Sequence, residues 1–140
     1  MSDTNRNTTV VPDGEDWDVI STYTRAQAIE DGVLVDMTQG DLGETLREAG
    51  FRLHTAMTAT AFHQVIGVGD LPAGQDVRGR WWDLLMVLRH AVAGNRNTDR
   101  VHFRVSVWNG RKSEDVNLWA QIGPGDDGRP VLTIMLEGED

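Results

Sequence analysis

The segments RWWDLLMVLRHAVA, residues 80–93, and VHFRVSVW, residues 101–108, lie close together in the chain and differ in hydrophobic period. In the first, apolar residues recur every three or four positions, as on one face of an α-helix. In the second, apolar and polar residues alternate, as in a strand that buries one face. The change of period predicts an α+β fold in which helices precede the C-terminal strands.

Two more strands are predicted after residue 108. The segment VNLWAQI, residues 116–122, alternates in the same way, and the apolar run VLTIML, residues 131–136, follows the loop GPGDDGRP. Short connections between consecutive strands favour an antiparallel meander. We therefore expect three to four helices packed on one face of a small antiparallel sheet whose C-terminal part is a three-stranded meander.

The stretch YTRAQAIEDGVLVD, residues 23–36, predicts the first helix and a strand after it. Thr24 and Gln27 have the spacing of a capping box. Gly32 stands where a left-handed residue commonly ends a helix. Residues 33–35 are then predicted to form a short buried strand.

Two further helices are predicted before residue 80. Asp41 and Glu44 have the spacing of a cap and its third helical residue, and Gly50 closes that segment. A third helix is expected over 58–66, with Thr58 as its cap. The glycine-rich segment 67–79 is predicted to be a loop.

The chain of 140 residues suits a single domain. Residues 1–16 are polar and without periodicity, which predicts a flexible tail, and a short strand is expected near residues 18–21. The domain is therefore expected to span residues 17–140. The chain has no cysteine, and no apolar run is long enough for a secretory signal or a membrane span. These features predict a cytoplasmic protein without a membrane partner.

The formal net charge of −9 opposes direct binding to nucleic acid. Residues 1–50 hold eleven acids and three bases, residues 51–112 hold four acids and nine bases, and residues 113–140 hold seven acids and one base. On one interpretation the acidic ends attract the basic middle within the fold. On the other, a separate acidic surface competes for a basic partner.

The familiar catalytic motifs are missing from the sequence. It contains no Gly-x-Gly-x-x-Gly, no phosphate loop and no Gly-x-Ser-x-Gly. The four histidines lack the spacing of a His-Glu-x-x-His zinc pair, and GPGDDG lacks the spacing of a calcium loop. We expect no catalytic residue, no metal site and no cofactor.

The start of the first helix has two interpretations. Tyr23, Thr24 and Arg25 precede it, and free backbone amides beside an arginine would suit an anion. That arrangement would belong to a small intracellular enzyme with a site near Tyr23 and Arg25. Every residue of the stretch also has a structural task as cap, helix face, stop or strand, and we favour this scaffold interpretation.

The meander provides a candidate binding face. If its valines and leucines pack against the helices, the opposite face presents Arg104, Trp108, Asn117, Trp119 and Gln121, with Thr133 and Met135 of the third strand beside them. Tryptophans beside an arginine are typical of an interface hot spot. The alternative is that a loop, the tail or a second copy of the chain covers them.

Three segments carry a resemblance to known sequences: VISTYTRAQAIEDGVLVD, the helix that begins RWWDLL, and the C-terminal GPGDDGRPVLTIMLEGED. In these segments the chain resembles a family of small bacterial proteins of unknown function that are often carried by plasmids, phages and other mobile elements. The resemblance implies no activity and no catalytic residue. It implies a context in which small acidic proteins often bind and inhibit host defence machinery.

Two main hypotheses follow. The first is a non-catalytic, acidic protein that binds another protein by occupying its surface. Its most specific version is a counter-defence inhibitor, of the anti-CRISPR or antirestriction type, that binds a nucleic-acid-processing complex. A homodimer and a regulatory protein of plasmid maintenance stay open beside it. The second is the small enzyme near Tyr23 and Arg25. A cleft with perturbed titratable groups favours the enzyme, and a surface without a pocket favours the binding module.

Overall fold

The computed structural model of the chain describes residues 23–67, 71–95 and 98–139. The predicted tail, residues 1–16, and the predicted strand near residues 18–21 lie outside these ranges. The described elements are helix α1 (Arg25–Glu30), strand β1 (Leu34–Asp36), helix α2 (Gly40–Glu48), strand β2 (His54–Thr58), helix α3 (Ala59–Ala61) continued by a π-helix (Phe62–Ile66), helix α4 (Val77–Ala93), and strands β3 (Arg100–Trp108), β4 (Ser113–Pro124) and β5 (Pro130–Leu136).

The five described strands form one sheet in the order β1-β2-β5-β4-β3. Strands β3, β4 and β5 make the predicted antiparallel meander, and β1 pairs antiparallel with β2. The predicted α+β fold is confirmed, but the sheet is mixed, because β2 runs parallel to β5. Strand β2 itself was not predicted, since its last residue, Thr58, is also the cap of the helix that follows without a turn.

The hydrophobic core lies between the sheet and helices α2, α3 and α4, which cover what we call its inner face. The fully buried residues of α4 are Trp81, Leu84, Leu85 and Leu88. They form one cluster with inner-face residues of the meander such as Phe103, Leu118 and Ile134. The Trp81 indole also donates a hydrogen bond to the Leu42 carbonyl at 2.9 Å, which ties α4 to α2.

The first helix begins and ends as predicted. The Thr24 side chain accepts from the Gln27 backbone and Gln27 reaches back to the Thr24 backbone, so the capping box is complete. Gly32 follows the helix with a φ of 81°. The left-handed conformation there is one that glycine adopts without steric cost.

Two predicted helix starts are wrong, and so is the predicted burial of residues 33–35, because Val33 is 52% exposed and β1 is half-buried. Helix α2 has Gln39 as N-cap without a side-chain hydrogen bond; Gly40, at a φ of 59°, turns the chain into the helix before Asp41 is reached. The third predicted helix is present over residues 59–66 with Thr58 as its cap, but it changes from α-helix to π-helix at Phe62. Helix α4 begins inside the segment predicted as a loop, because Asp76 caps it by accepting a hydrogen bond from the backbone of Gly79 at 2.6 Å.

Candidate functional site

The five predicted binding residues share the sheet face opposite the helices, which we call the outer face. The register of β3 and β4 sets Arg104 opposite Asn117 and places Trp119 and Gln121 in the next rows of the same face. Trp108 stands at the far end of that face. The alternation of the strands brings these residues onto one surface, and their role in binding stays a prediction.

Trp119 is half-buried by its neighbours on the outer face. The His102 ring lies opposite it, with ring centroids 4.7 Å apart and tilted by 45°. The Arg100 guanidinium carbon lies 4.9 Å from the centre of the Trp119 ring, within cation–π range. Arg100 also donates to the Gln121 side chain at 2.9 Å. These contacts hold the Trp119 ring in one orientation.

Trp108 is not adjacent to Trp119. It lies six residues along β3 from His102, the cross-strand partner of Trp119, which is a separation of about 20 Å. Its exposed fraction is 40%. The structure therefore does not form the tryptophan pair that the sequence suggested, although both rings lie on the same face.

The surface between the two tryptophans is polar. Arg104 lies 3.6 Å from Asp115, with 64% of the arginine side chain exposed. Ser106 donates to the same carboxylate at 3.2 Å, and Asn117 is exposed. Surface ion pairs of this kind contribute little to stability. The strip is therefore available to a partner at low cost.

Thr133 and Met135 lie on the outer face opposite Gln121 and Trp119, as predicted, but they are not exposed there. Met135 is buried, with 8% of its surface exposed. The Thr133 hydroxyl accepts a hydrogen bond from Arg25 Nη1 at 2.6 Å and is half-buried. The fully exposed residues of the predicted face therefore lie on β3 and β4, and on β5 the Arg25 side chain covers Thr133.

Arg25 connects helix α1 to the sheet. Besides Thr133, its guanidinium donates to the Leu132 carbonyl at 2.7 Å and to His54 Nδ1 at 3.3 Å. Partial burial lowers the pKa of Arg25 from its ordinary value, against the opposing effect of Asp36 and Asp126. All three donor nitrogens are thus engaged by the fold.

His54 connects Arg25 to Asp36 at the end of strand β1. Since its Nδ1 accepts from Arg25, its Nε2 carries the proton in the neutral ring and faces Asp36 Oδ1 at 3.3 Å. Partial burial by itself would raise the pKa of Asp36, but hydrogen bonds from the side chain and backbone of Thr38, with the nearby His54, lower it below its ordinary value. Asp36 therefore stays ionised and orients the imidazole.

The predicted anion site at the start of α1 is filled by the protein. The Asp126 carboxylate accepts from the backbone N–H groups of Arg25 at 2.9 Å and of Ala26 at 3.0 Å. Hydrogen bonds from these two amides lower the pKa of Asp126. The Tyr23 hydroxyl likewise donates to Asp31 at 2.8 Å. These contacts support the scaffold interpretation of the stretch.

A cleft of about 540 Å³ opens beside this cluster, between α1 and the β4–β5 hairpin. Its polar lining includes Arg52, His54 and Arg129, and its apolar lining includes Ile29 and Val131. Within the ranges that the structure describes, no three histidine or acidic side chains are grouped closely enough to hold a metal ion. Over the same ranges, no helix has the length and apolarity needed to cross a membrane.

The sequence alone did not indicate this cluster. Arg25 and Asp126 are 101 residues apart, and Arg25 and Thr133 are 108 apart. No spacing rule connects such positions. The only local signal was the aspartate pair in the GPGDDG loop, which indicates a turn rather than a cap for a distant helix.

Comparison with known proteins identifies a family but no activity. A model described as a family of unknown function, DUF6573, matches residues 14–140. No curated protein and no solved structure matches the chain.

Proposed function

The chain belongs to the DUF6573 family, and because the description of that family names no activity, we propose a function from the geometry: a non-catalytic protein-binding module. Its contact surface is the outer face of β3 and β4. The observation that carries the proposal is the uncovered strip on this face, where exposed Arg104 and Asn117 lie between two partly exposed tryptophans.

The composition of the strip suits a protein partner. Tryptophan and arginine are the residues that most often dominate binding energy at protein interfaces, and polar residues surround them there. Trp119 is already oriented by His102 and Arg100, so binding immobilises fewer side-chain rotamers. Trp108 at the other end would form a second, independent contact.

The proposed partner is a protein of a nucleic-acid-processing complex in the cytoplasm. The net charge of −9 disfavours direct binding to nucleic acid and favours a partner with basic surfaces. In its most specific form, the module is an inhibitor carried by a bacterial mobile element, of the anti-CRISPR or antirestriction type. That form is supported only by the family resemblance described under the sequence.

Two exposed arginines provide a matched test. Arg104 on the outer face pairs with Asp115, and Arg78 on α4 pairs with Glu44 and Glu48. The wild-type chain, Arg104→Glu and Arg78→Glu would be used as baits in cells challenged with phage or plasmid. We expect one partner to be retained by wild type and by Arg78→Glu and reduced at least about tenfold with Arg104→Glu. Equal retention by all three baits would rule out the outer face as the contact surface.

The cleft beside Arg25 favours a second candidate, a small enzyme or small-molecule-binding protein. Its volume falls in the range of ligand pockets, which is about 300–1,000 Å³. It also contains His54, whose ring is oriented by Arg25 and Asp36. An NMR titration with a panel of small organic anions, which follows the chemical shifts of the His54 ring, distinguishes the two candidates. Shifts that saturate in wild type and vanish in Arg52→Gln would favour the cleft, because Arg52 lines it without an acidic partner among the described residues.

A further inference from the structure

Among the described strands, β3 forms an open edge of the sheet. It stands last in the strand order and is nine residues long, whereas β1 at the opposite edge has three. A long edge strand presents a row of backbone N–H and C=O groups to which another chain can add. Proteins normally keep such edges short, so an edge strand of nine residues is unusual.

The hydrogen bonds that flank the β3–β4 pair show which groups point outward. The Ile122 N–H donates to the Asp99 carbonyl at 2.8 Å, and the Asn109 N–H donates to the Lys112 carbonyl at 3.1 Å. In an antiparallel ladder such pairs recur at every second residue. The odd-numbered residues of β3 therefore bond to β4, and the even-numbered residues direct their N–H and C=O groups away from the sheet.

Among the described residues, bonds to the outward groups are found at the two ends of β3. Near the start, the Thr98 hydroxyl bonds to the N–H and to the carbonyl of Arg100. At the end, Arg80 of helix α4 donates to the Trp108 carbonyl at 2.5 Å. Three residues in the middle of β3 have outward N–H and C=O groups that form no backbone hydrogen bond with any described residue. They are His102, Arg104 and Ser106.

Helix α4 lies beside this open edge and leaves a groove. Asp83 and Val87 of the helix line it together with Val105 and Ser106 of the strand. Val87 is 37% exposed although it is apolar. A strand added to β3 would place the side chains of one of its faces against Val87, and the groove has room for small apolar groups there.

Strand β3 carries two arginines and no acid, although Asp115 contacts its Arg104 and Glu137 contacts its His102. From residue 100 to residue 113 the sequence holds four bases and no acid, in a chain of net charge −9. Arg104 lies in the middle of the open edge and its side chain is 64% exposed. Its contact with Asp115 is long, at 3.6 Å. An added strand would bring its alternate side chains beside Arg104, because cross-strand neighbours on one face lie about 5 Å apart.

We propose that the β3 edge binds an extended acidic peptide segment of a partner protein as an additional strand of the sheet. The proposal rests on the proposed protein-binding function and names how the partner is held. Backbone groups of His102, Arg104 and Ser106 form the main-chain hydrogen bonds, acidic side chains face Arg104, and small apolar side chains face Val87. A second copy of the chain fits less well, because a two-fold pair centred on Arg104 would set two arginines opposite each other.

A designed peptide serves as the probe. The ¹⁵N-labelled full chain would be titrated with a seven-residue peptide of alternating glutamate and valine, blocked at both ends, and with its lysine–valine counterpart. We expect saturating shifts and slower hydrogen exchange at the amides of His102, Arg104 and Ser106. The glutamate peptide should bind at least about tenfold more tightly than the lysine peptide, since like charges beside Arg104 oppose binding.

A pair of variants at Ser106 isolates the backbone contact. Ser106→Pro removes the outward N–H without removing a bond to β4, and proline is tolerated at such edge positions. Ser106→Ala removes only the hydroxyl. We expect the proline variant to weaken peptide binding about tenfold, the equivalent of one hydrogen bond, and the alanine variant to change it less than about twofold. Far-UV circular dichroism and a thermal melt would verify that both variants fold.

Four results would overturn the proposal. They are no binding at millimolar peptide, equal binding of both peptides, no difference between the two Ser106 variants, and wild-type self-association that Ser106→Pro abolishes, which would make a second copy the occupant. Shifts confined to Asn117 and Trp119 would also reject the edge, while they would leave the proposed function of the outer face intact. Failure of the Arg104 and Arg78 bait experiment, in contrast, would reject the proposed function.

Discussion

Asp126 Oδ1 accepts a hydrogen bond from the backbone N–H of Arg25 at 2.9 Å. The hairpin between β4 and β5 thus caps the first described helix, which lies 101 residues earlier in the chain. The Arg25 side chain also donates hydrogen bonds to β5, at the Leu132 carbonyl and the Thr133 hydroxyl. Helix α1 is therefore held by both the backbone and the side chain of one residue.

We expect Asp126→Asn to lower the Tm, and we expect this effect to depend on pH. The pKa of Asp126 is depressed in the folded chain, so its contribution is present above the ordinary carboxyl value of about 4 and is lost as pH falls below it. The difference in Tm between wild type and Asp126→Asn should therefore shrink between pH 7 and pH 3. Asp127→Asn is the control, because among the described residues Asp127 contacts exposed Arg129 and the backbone of its own loop. A difference that does not vary with pH would contradict the capping role.

Arg25→Lys is expected to lower the free energy of unfolding by about 1–3 kcal/mol. An ammonium group cannot replace a guanidinium that bonds to His54, Thr133 and Leu132 at once. Arg129→Lys, at an arginine that is 85% exposed, should change it by less than about 0.5 kcal/mol. Urea denaturation of the two variants tests the difference. Equal stabilities would mean that the Arg25 contacts do not hold α1.

Two neighbouring positions on α4 test the packing of its buried side. Leu88 is fully buried and Val87 is 37% exposed. Leu88→Ala should cost about 2–5 kcal/mol, the usual range for a core leucine. Val87→Ala should cost less, about 1 kcal/mol, because Val87 stays partly exposed and its truncation leaves no enclosed cavity. Similar costs at both positions, measured by urea denaturation, would show that α4 packs with a different face.

The two outer-face tryptophans should act independently in binding. Because Trp108 and Trp119 lie about 20 Å apart along the ladder, the binding losses of the single alanine variants should add in the double variant within about 0.5 kcal/mol. The double variant should lose at least about 2 kcal/mol of binding free energy and keep its far-UV spectrum. Isothermal titration against the captured partner measures these losses. Unfolding of the double variant would instead place both rings among the residues that stabilise the fold.

The capping chemistry and the hydrophobic periods were predictable because they depend on residues a few positions apart. Thr24, Gln27 and Gly32 act within one short helix, and the buried side of α4 follows from its own repeat. The meander was predictable for the same reason, since its strands are consecutive and each alternates. The cap of α2 was mispredicted because its N-cap, Gln39, makes no side-chain cap hydrogen bond, and the helix start depends instead on the positive φ of Gly40.

The outer face was only partly predictable. Alternation places Arg104, Trp108, Asn117, Trp119 and Gln121 on one side of the strands, as the register shows. It does not reveal that Arg25 reaches over Thr133 or that Met135 is buried. Burial at a sheet face depends on what lies above it, and here that group comes from the opposite end of the described chain.

Local patterns in the chain were enough for the α+β class, the core helix, the meander and the faces that β3 and β4 bury, because helix and strand periods are properties of neighbouring residues. Only the tertiary structure decided the parallel pairing of β2 with β5, the position of β3 at the open edge and the filling of the α1 terminus by Asp126. Each of these joins residues whose separation in sequence is large. Such contacts form according to how complete elements pack and which backbone groups still need a partner, and no short window of sequence contains that information.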